Sequence, residues 1–185
     1  MRIVVAITGS SGVVYGKRLL EALLDKHVET HLIVSKGAEE IIAFELLSKK
    51  GDIEKLATRV YKVNDLLSPL ASGSFITDGM VVAPCSAKTL AGIANGYSDN
   101  LILRAAEVTI KQGRKLILVP RETPVSAIHL ENMLKLARLG IVILPAMPAF
   151  YHHPKSIDQL IDFVVGKILD SLGIEHDLFE RWAGR

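Results

Sequence analysis

The sequence predicts an α/β fold in three layers, a parallel sheet with helices on both faces. Short β-branched apolar runs alternate with runs of helical spacing along the whole chain, which is the rhythm of βαβ units. Hydrophobic residues make up 49% of the chain and aromatics only 5%. The core is therefore aliphatic, as in strands covered on both sides. With 185 residues, one domain spanning 1–185 is expected, large enough to bury about 70% of its unfolded surface. It needs no disulfide or metal to fold.

Arg2–Ile7 reads as the first strand, and Val13–Leu24 follows as a helix with Leu19, Leu20, Leu23 and Leu24 at helical spacing. Glu29–Val34 is the second strand, with Ser35 placed to cap a helix over Gly37–Ser48. Arg59–Val63 is a weaker third strand, and Ser68–Phe75 is irregular. Met80–Ala83 is strand, Ala87–Ile93 helix and Asp99–Gln112 a longer helix. Lys115–Val119 is strand, Ser126–Leu139 helix, Ile141–Leu144 strand and Ile157–Leu172 helix. The tail 173–185 is more polar but keeps Phe179 and Trp182.

A net charge of +2 is too small for a dedicated nucleic-acid surface. Cys85 is the one cysteine, which excludes an intramolecular disulfide and a zinc site built on several thiolates. No apolar run approaches the roughly 20 residues that span a bilayer. The first run, Ile3–Ile7, is too short for a secretory signal. A cytoplasmic protein is expected, without nucleic acid or membrane as partner.

In an open parallel sheet the ligand crevice lies beyond the carboxyl ends of the strands. Residues that follow the strands are therefore the candidates: Thr8–Gly12, Ser35-Lys36, Pro84-Cys85-Ser86, Pro120–Pro124 and Pro145–Tyr151. Gly9-Ser10-Ser11-Gly12 lets backbone approach an anion at a helix start, with the hydroxyls of Thr8, Ser10 and Ser11 as further donors. That suits a terminal monophosphate. Arg121-Glu122 reads as an ion pair between two prolines, the rigid setting a preorganised site needs.

Several familiar patterns fail. The spacing Gly9, Gly12, Gly16 is not G-x-G-x-x-G, and the second strand ends in Ser35-Lys36 without an acidic residue for a ribose. Gly16-Lys17 lacks the rest of a P-loop, and Gly9–Gly12 is not a nucleophile elbow. Pro154 would disrupt the helix that a Tyr151/Lys155 pair requires. The six histidines show no ligand spacing, so no metal is expected. Cys85, without a histidine near it in sequence, reads as a buried inert thiol. Lys88, Arg104, Lys111, Arg121 and Lys167 are ordinary cations unless the fold gathers them. Arg104 and Lys111 share one helix face.

Seven blocks in order resemble the UbiX family of flavin prenyltransferases. They are Thr8–Gly12, Ser68–Ser74, Ala83–Ala91, Asn95–Leu101, Arg104–Ala106, Val119–Pro124 and Pro148–Tyr151. The likeness runs from the first strand to about Leu172. Ser10 stands where the family commonly has Ala, and Lys167 where Arg is also seen. The resemblance implies a Rossmann-like, flavodoxin-like fold in a homododecamer, with the tail 173–185 packing on a neighbouring subunit. It implies a metal-independent reaction that joins dimethylallyl monophosphate to reduced FMN at N5 and C6. The product, prenylated FMN, would serve a UbiD-type decarboxylase.

By the same resemblance, FMN contacts fall on Gly9, Ser10, Ser11, Ser35, Ser86, Ala87, Lys88, Thr89 and Arg121. The prenyl phosphate falls to Arg104, Lys111, Arg121, Glu122, Tyr151, Lys167 and Trp182. Glu122, Ser11, Lys111 and Tyr151 are the implied catalytic residues. Ionising an allylic phosphate needs cations and donors on the leaving oxygens, and Glu122 suits proton transfer as the new ring closes. Two alternatives remain. One is a flavin-dependent cysteine decarboxylase of the same fold, which needs a histidine after the first helix where this chain offers only His27 and His31. The other is a non-catalytic FMN-binding subunit of a decarboxylase.

Overall fold

The computed structural model describes residues 1–184; Arg185, the last residue of the expected tail, lies outside them. Six strands pair in parallel: β1 (Arg2–Ile7), β2 (Glu29–Val34), β3 (Arg59–Tyr61), β4 (Gly79–Cys85), β5 (Lys115–Pro120) and β6 (Val142–Ile143). Their order is β3-β2-β1-β4-β5-β6. The chain winds outward one way from β1 to β3 and then restarts beside β1 with β4. That reversal is the topological switch point, and it opens a crevice at the carboxyl ends of β1 and β4.

The aliphatic runs are explained by burial on two faces. Ile3, Val5 and Ile7 of β1 join one core with the helices α1 (Val13–Asp25), α2 (Lys36–Glu45), α3 (Lys50–Glu54) and α7 (Ile157–Leu172). Val4 and Ala6 join the other, with α4 (Ala87–Ala94), α5 (Leu101–Lys111) and α6 (Ala127–Ala137). Period-two alternation is hidden because both sets are apolar.

β1, β2 and α7 match the sequence expectation end to end. α2 is shorter than expected: it ends at Glu45, Leu47 takes φ 48°, and a separate five-residue α3 follows. β3 stops at Tyr61 and β6 has only two residues, as edge elements with few partners do. β4 runs past Pro84 to Cys85, with its register to β5 shifted between Val82 and Cys85. Pro84 was expected to end the strand. The shifted register lets the ladder continue beyond a residue without an N–H.

Gly16 is a packing glycine. A Cβ there would overlap the Ala83 carbonyl oxygen and come within 2.8 Å of Ile7 Cγ1, so its absence sets how closely α1 lies on β1 and β4. Gly16→Ala is expected to destabilise the fold by about 1–3 kcal/mol through overpacking, despite alanine's better helix propensity. Urea unfolding checks this; an unchanged or raised midpoint would show that the helix can lift at no cost.

His31 on β2 is fully buried. Its Nδ1 lies 2.9 Å from the Tyr61 hydroxyl and its Nε2 2.9 Å from Glu29 Oε1, with Phe75 edge-on to the ring. Burial pushes its pKa below the ordinary value, outweighing the pull of Glu29. The folded state therefore favours neutral imidazole. Its contribution is full above the unfolded pKa of about 6.5 and is lost as pH falls from there toward the folded value. Glu29, held low chiefly by Arg2 and His31, loses its contribution only at more acid pH. The melting temperature should fall between about pH 7 and 5, and fall less steeply in His31→Gln. Equal slopes in the two proteins would place the acid sensitivity elsewhere.

Candidate active site

The carboxyl ends of four strands converge on a cleft of about 750 Å³. Gly9-Ser10-Ser11 comes from β1, Ser35-Lys36-Gly37 from β2, Ser86–Thr89 from β4 and Arg121-Glu122 from β5. Val63, Asn64, Asp99, Asn100 and Ile102 close the rim. All nine residues expected to contact FMN, Gly9 to Arg121, line this one space.

Thr8 fastens the floor. Its side chain is buried, donates to the Pro84 carbonyl at 2.7 Å and accepts from Ser86 N at 2.8 Å. Ser10 Oγ donates to the Arg121 carbonyl at 3.0 Å, and Arg121 Nε returns a bond to the Ser11 carbonyl at 3.2 Å. These bonds correct one expectation. Of the three hydroxyls read as anion donors, those of Thr8 and Ser10 are used to join loops, and the exposed Ser11 is the one left for a ligand.

The anion cradle also moves. Gly12, at φ 96°, donates its N–H to the Glu45 carboxylate at 2.9 Å, so a side chain of the protein already sits at the start of α1. The better anion sites are the starts of α2 and α4, which both face the cleft. Ser35 caps α2 through Ala38 N at 3.2 Å, and Ser86 caps α4 through Thr89 N at 3.3 Å. That leaves the earlier backbone N–H groups, such as those of Ala87 and Lys88, for an incoming anion. Gly9 meets Gly37 here: a Cβ on Gly9 would lie 3.2 Å from Gly37 Cα. The two glycines let the β1 and β2 loops touch beneath the ligand space.

The residues expected at the prenyl phosphate divide into three places. Arg121 and Glu122 stand in the cleft and also line a smaller apolar cavity of about 190 Å³ with Val125, Leu130, Met133 and Met147. Arg104 and Lys111 lie on α5, outside the cleft. Arg104 Nη1 bonds Glu107 at 2.9 Å, its Nε donates to the Ala71 carbonyl, and Lys111 borders a separate cavity with Tyr97, Ser98 and Glu107. Tyr151 and Trp182 meet edge to face at 5.6 Å, and Lys167 Nζ bonds Asp170 at 3.2 Å. One chain therefore holds the flavin residues together and keeps the phosphate residues apart.

Cys85 is buried and desolvation pushes its thiol up to about 12, so it is no nucleophile at neutral pH. Among the described residues no three His, Cys, Asp or Glu side chains form a metal cluster. The sequence reading missed Glu45, Asn64, Asn100 and Asp170. Only Asn100 carried a local signal, as an N-cap that accepts from Ile102 N and Leu103 N before a helical run.

The Flavoprotein family model matches residues 1–169. Flavin prenyltransferase UbiX of Methanocaldococcus jannaschii is 55% identical over 182 residues, covering 98% of each chain. This chain belongs to the UbiX family of flavoproteins. Among solved structures, AnUbiX (PadA1) in complex with FMN and dimethylallyl pyrophosphate superposes with a TM-score of 0.98 at 49% identity, covering 100% of this chain and 98% of that one. A dodecameric FMN-dependent UbiX-like decarboxylase from Escherichia coli O157:H7 gives 0.97 at 49% identity over all of both chains. A peptidyl-cysteine decarboxylase, at 18% identity and a TM-score of 0.65 over 92% of this chain and 97% of that one, shares the fold alone.

The UbiX-type cleft predicts where flavin affinity resides. Ser86→Ala removes the cap of α4 and its bond to the Thr89 hydroxyl (3.0 Å). FMN should bind about tenfold more weakly, in keeping with about 1–2 kcal/mol for a lost cap. Fluorescence titration of flavin reads this directly, and undiminished affinity would put the phosphate at another helix.

Proposed function

We propose that this protein is a flavin prenyltransferase that joins dimethylallyl monophosphate to reduced FMN, forming bonds at N5 and C6 and releasing phosphate. The single observation that carries the reading is the cleft itself. Two capped helix starts and a glycine-floored crevice lie beside Arg121-Glu122, in the fold of a relative bound to FMN and dimethylallyl pyrophosphate.

The residues present fit FMN: helix N-termini and Lys88 for its phosphate, and backbone with small side chains below a flat ring. When bound in reduced form, FMN supplies the nucleophilic nitrogen and carbon of the reaction. The chain does the rest. Arg121 places a guanidinium at the cleft edge, anchored to the Ser11 carbonyl, where it can stabilise charge on a departing phosphate. The free Ser11 hydroxyl adds a donor at the same edge. Glu122 is the one carboxylate beside Arg121 in the cleft apart from Asp99 at the rim, and its role is to move the proton lost in ring closure. Its apolar cavity gives a five-carbon chain a dry wall, which protects an allylic cation from water.

Lys111 with Arg104, and Tyr151 with Lys167 and Trp182, complete the phosphate site from neighbouring protomers. Their separation in one chain and a dodecameric relative support this reading. The assembly we propose is therefore a homo-oligomer, a dodecamer, whose outer tail surface around the exposed Trp182 meets a neighbour. A UbiD-type decarboxylase is the proposed recipient of the product, and the cytoplasm the proposed location; no helix among the described residues is long and apolar enough to cross a membrane.

Anaerobic incubation with reduced FMN and either dimethylallyl monophosphate or diphosphate, followed by mass spectrometry of the flavin, tests the reading. Prenylated FMN is expected with the monophosphate, and recovery of unmodified flavin from both would favour a mere FMN carrier. Glu122→Gln should keep stoichiometric FMN and lose about 10²–10⁴-fold in turnover. Lys111→Ala should keep FMN and lose one to two decades, as for a charged bond worth roughly 1.5–3 kcal/mol. A flavin-free Lys111→Ala protein would remove that lysine from the phosphate site.

A further inference from the structure

After α7 the chain turns back along that helix. Phe179 and His176 fill the groove left by Gly166, where a Cβ would come within 2.5 Å of Phe179 Cε1 and 2.6 Å of His176 Cε1. One turn on, Asp170 collects the charged groups of the region. Its Oδ1 accepts from Arg181 Nη2 at 2.7 Å and from His176 Nε2 at 3.1 Å. Its Oδ2 accepts from Arg181 Nη1 at 3.2 Å and Lys167 Nζ at 3.2 Å. The Leu178 N–H donates to His176 Nδ1, and the ring turns its Nε2 toward Asp170.

Four donors occupy the four lone-pair sites of one carboxylate. Arg181 first, then Lys167, holds Asp170 at a pKa of about 2. The tail and the helix are thus joined by a bidentate grip at the protein surface. From that grip an aromatic series leads to the expected phosphate residues. Phe179 packs on Phe163 at 4.8 Å, Phe163 on Tyr151 at 6.0 Å, and Tyr151 on Trp182 at 5.6 Å.

We propose that Asp170 is a positioning residue: it clasps the C-terminal tail so that Trp182 covers Tyr151, and it holds Lys167 and Arg181 side by side as one anion-binding pair. The proposal rests on the reading in which Tyr151 and Lys167 contact the donor phosphate, and it adds Arg181 to that group. Two cations on one carboxylate leave a net positive charge. Lys167 spends one of three N–H donors on Asp170, and the other two remain for a phosphate oxygen. The carboxylate also fixes both flexible side chains before the substrate arrives, so less rotamer freedom is lost on binding.

The FMN-loaded protein tests this with three variants. Trp182 is the sole tryptophan, so its fluorescence anisotropy reports the tail alone. Asp170→Asn should lower that anisotropy and raise KM for dimethylallyl monophosphate about tenfold or more, with kcat changed less than about threefold and FMN stoichiometry intact. Asp170→Glu should recover part of both effects. Gly166→Ala should loosen the tail sterically, with the carboxylate still present, and raise KM in the same way. A mobile Trp182 with wild-type KM would make the clasp purely structural and overturn the positioning role. Unchanged anisotropy in Asp170→Asn and Gly166→Ala would overturn the clasp itself. Wild-type protein that converts neither the mono- nor the diphosphate would overturn the functional reading and the positioning role together, while the anisotropy still decides the clasp.

Discussion

The structure depends on one small buried knot, the Thr8 side chain between two loops. It donates to the Pro84 carbonyl and accepts from Ser86 N, so the ends of β1 and β4 cannot move apart without orphaning buried polar groups. Those two strands flank the switch point. The knot therefore fixes where α4 begins relative to the Gly9–Ser11 loop, and with it the direction in which the free N–H groups of α4 point. A parallel sheet gives a crevice at this place by topology. Thr8 turns that crevice into a site of fixed width.

A second layer of bonds then orders the charged edge. Ser10 and Arg121 exchange bonds through each other's loops, side chain to carbonyl in both directions. Arg121 is thereby aimed without a carboxylate partner: among the described residues the ion pair expected with Glu122 does not form, because Arg121 Nε turns to the Ser11 carbonyl instead. Its side chain lines the cleft with no carboxylate against it. The other expected phosphate cations are treated differently, since Arg104 is paired with Glu107 and Lys167 with Asp170. Each pair is partly exposed, so it contributes little to stability; its value lies in orientation.

Much of the fold was legible because both sheet faces are aliphatic and five of the seven α-helices start at Ser or Asn. Ser35, Ser86, Asn100, Ser126 and Ser156 all cap as their chemistry dictates. The irregular places were not legible. Leu47 at positive φ breaks the expected helix, and the short α3 that follows is capped by Asp52 and carries Ile53 into the core. Pro84 reads as a stop in one dimension, but the register shift that accommodates it exists only beside β5. The nine residues expected at FMN share one cleft because they follow strand ends. The use of Thr8 and Ser10 as fasteners was not, because a hydroxyl's partner lies more than seventy residues away. Glu45 and Asp170 were invisible for the same reason: each is an ordinary helix carboxylate until the fold brings Gly12 or Arg181 to it.

This division of labour lets one sheet architecture carry different surroundings. A peptidyl-cysteine decarboxylase shares the architecture at 18% identity, and in the present chain that topology supplies the crevice. What distinguishes the present chain is what lies around the crevice: Arg121-Glu122 at β5, Arg104 of α5 held by Glu107, and the tail cations held by Asp170. None of these groups supports the core. Each sits at a strand end, on an exposed helix face or on the returning tail, where substitution leaves the aliphatic layers undisturbed. Chemistry placed on the periphery is free to diverge while Thr8 and the two cores hold the crevice open, and in this chain that periphery is cationic because the proposed donor leaves as phosphate.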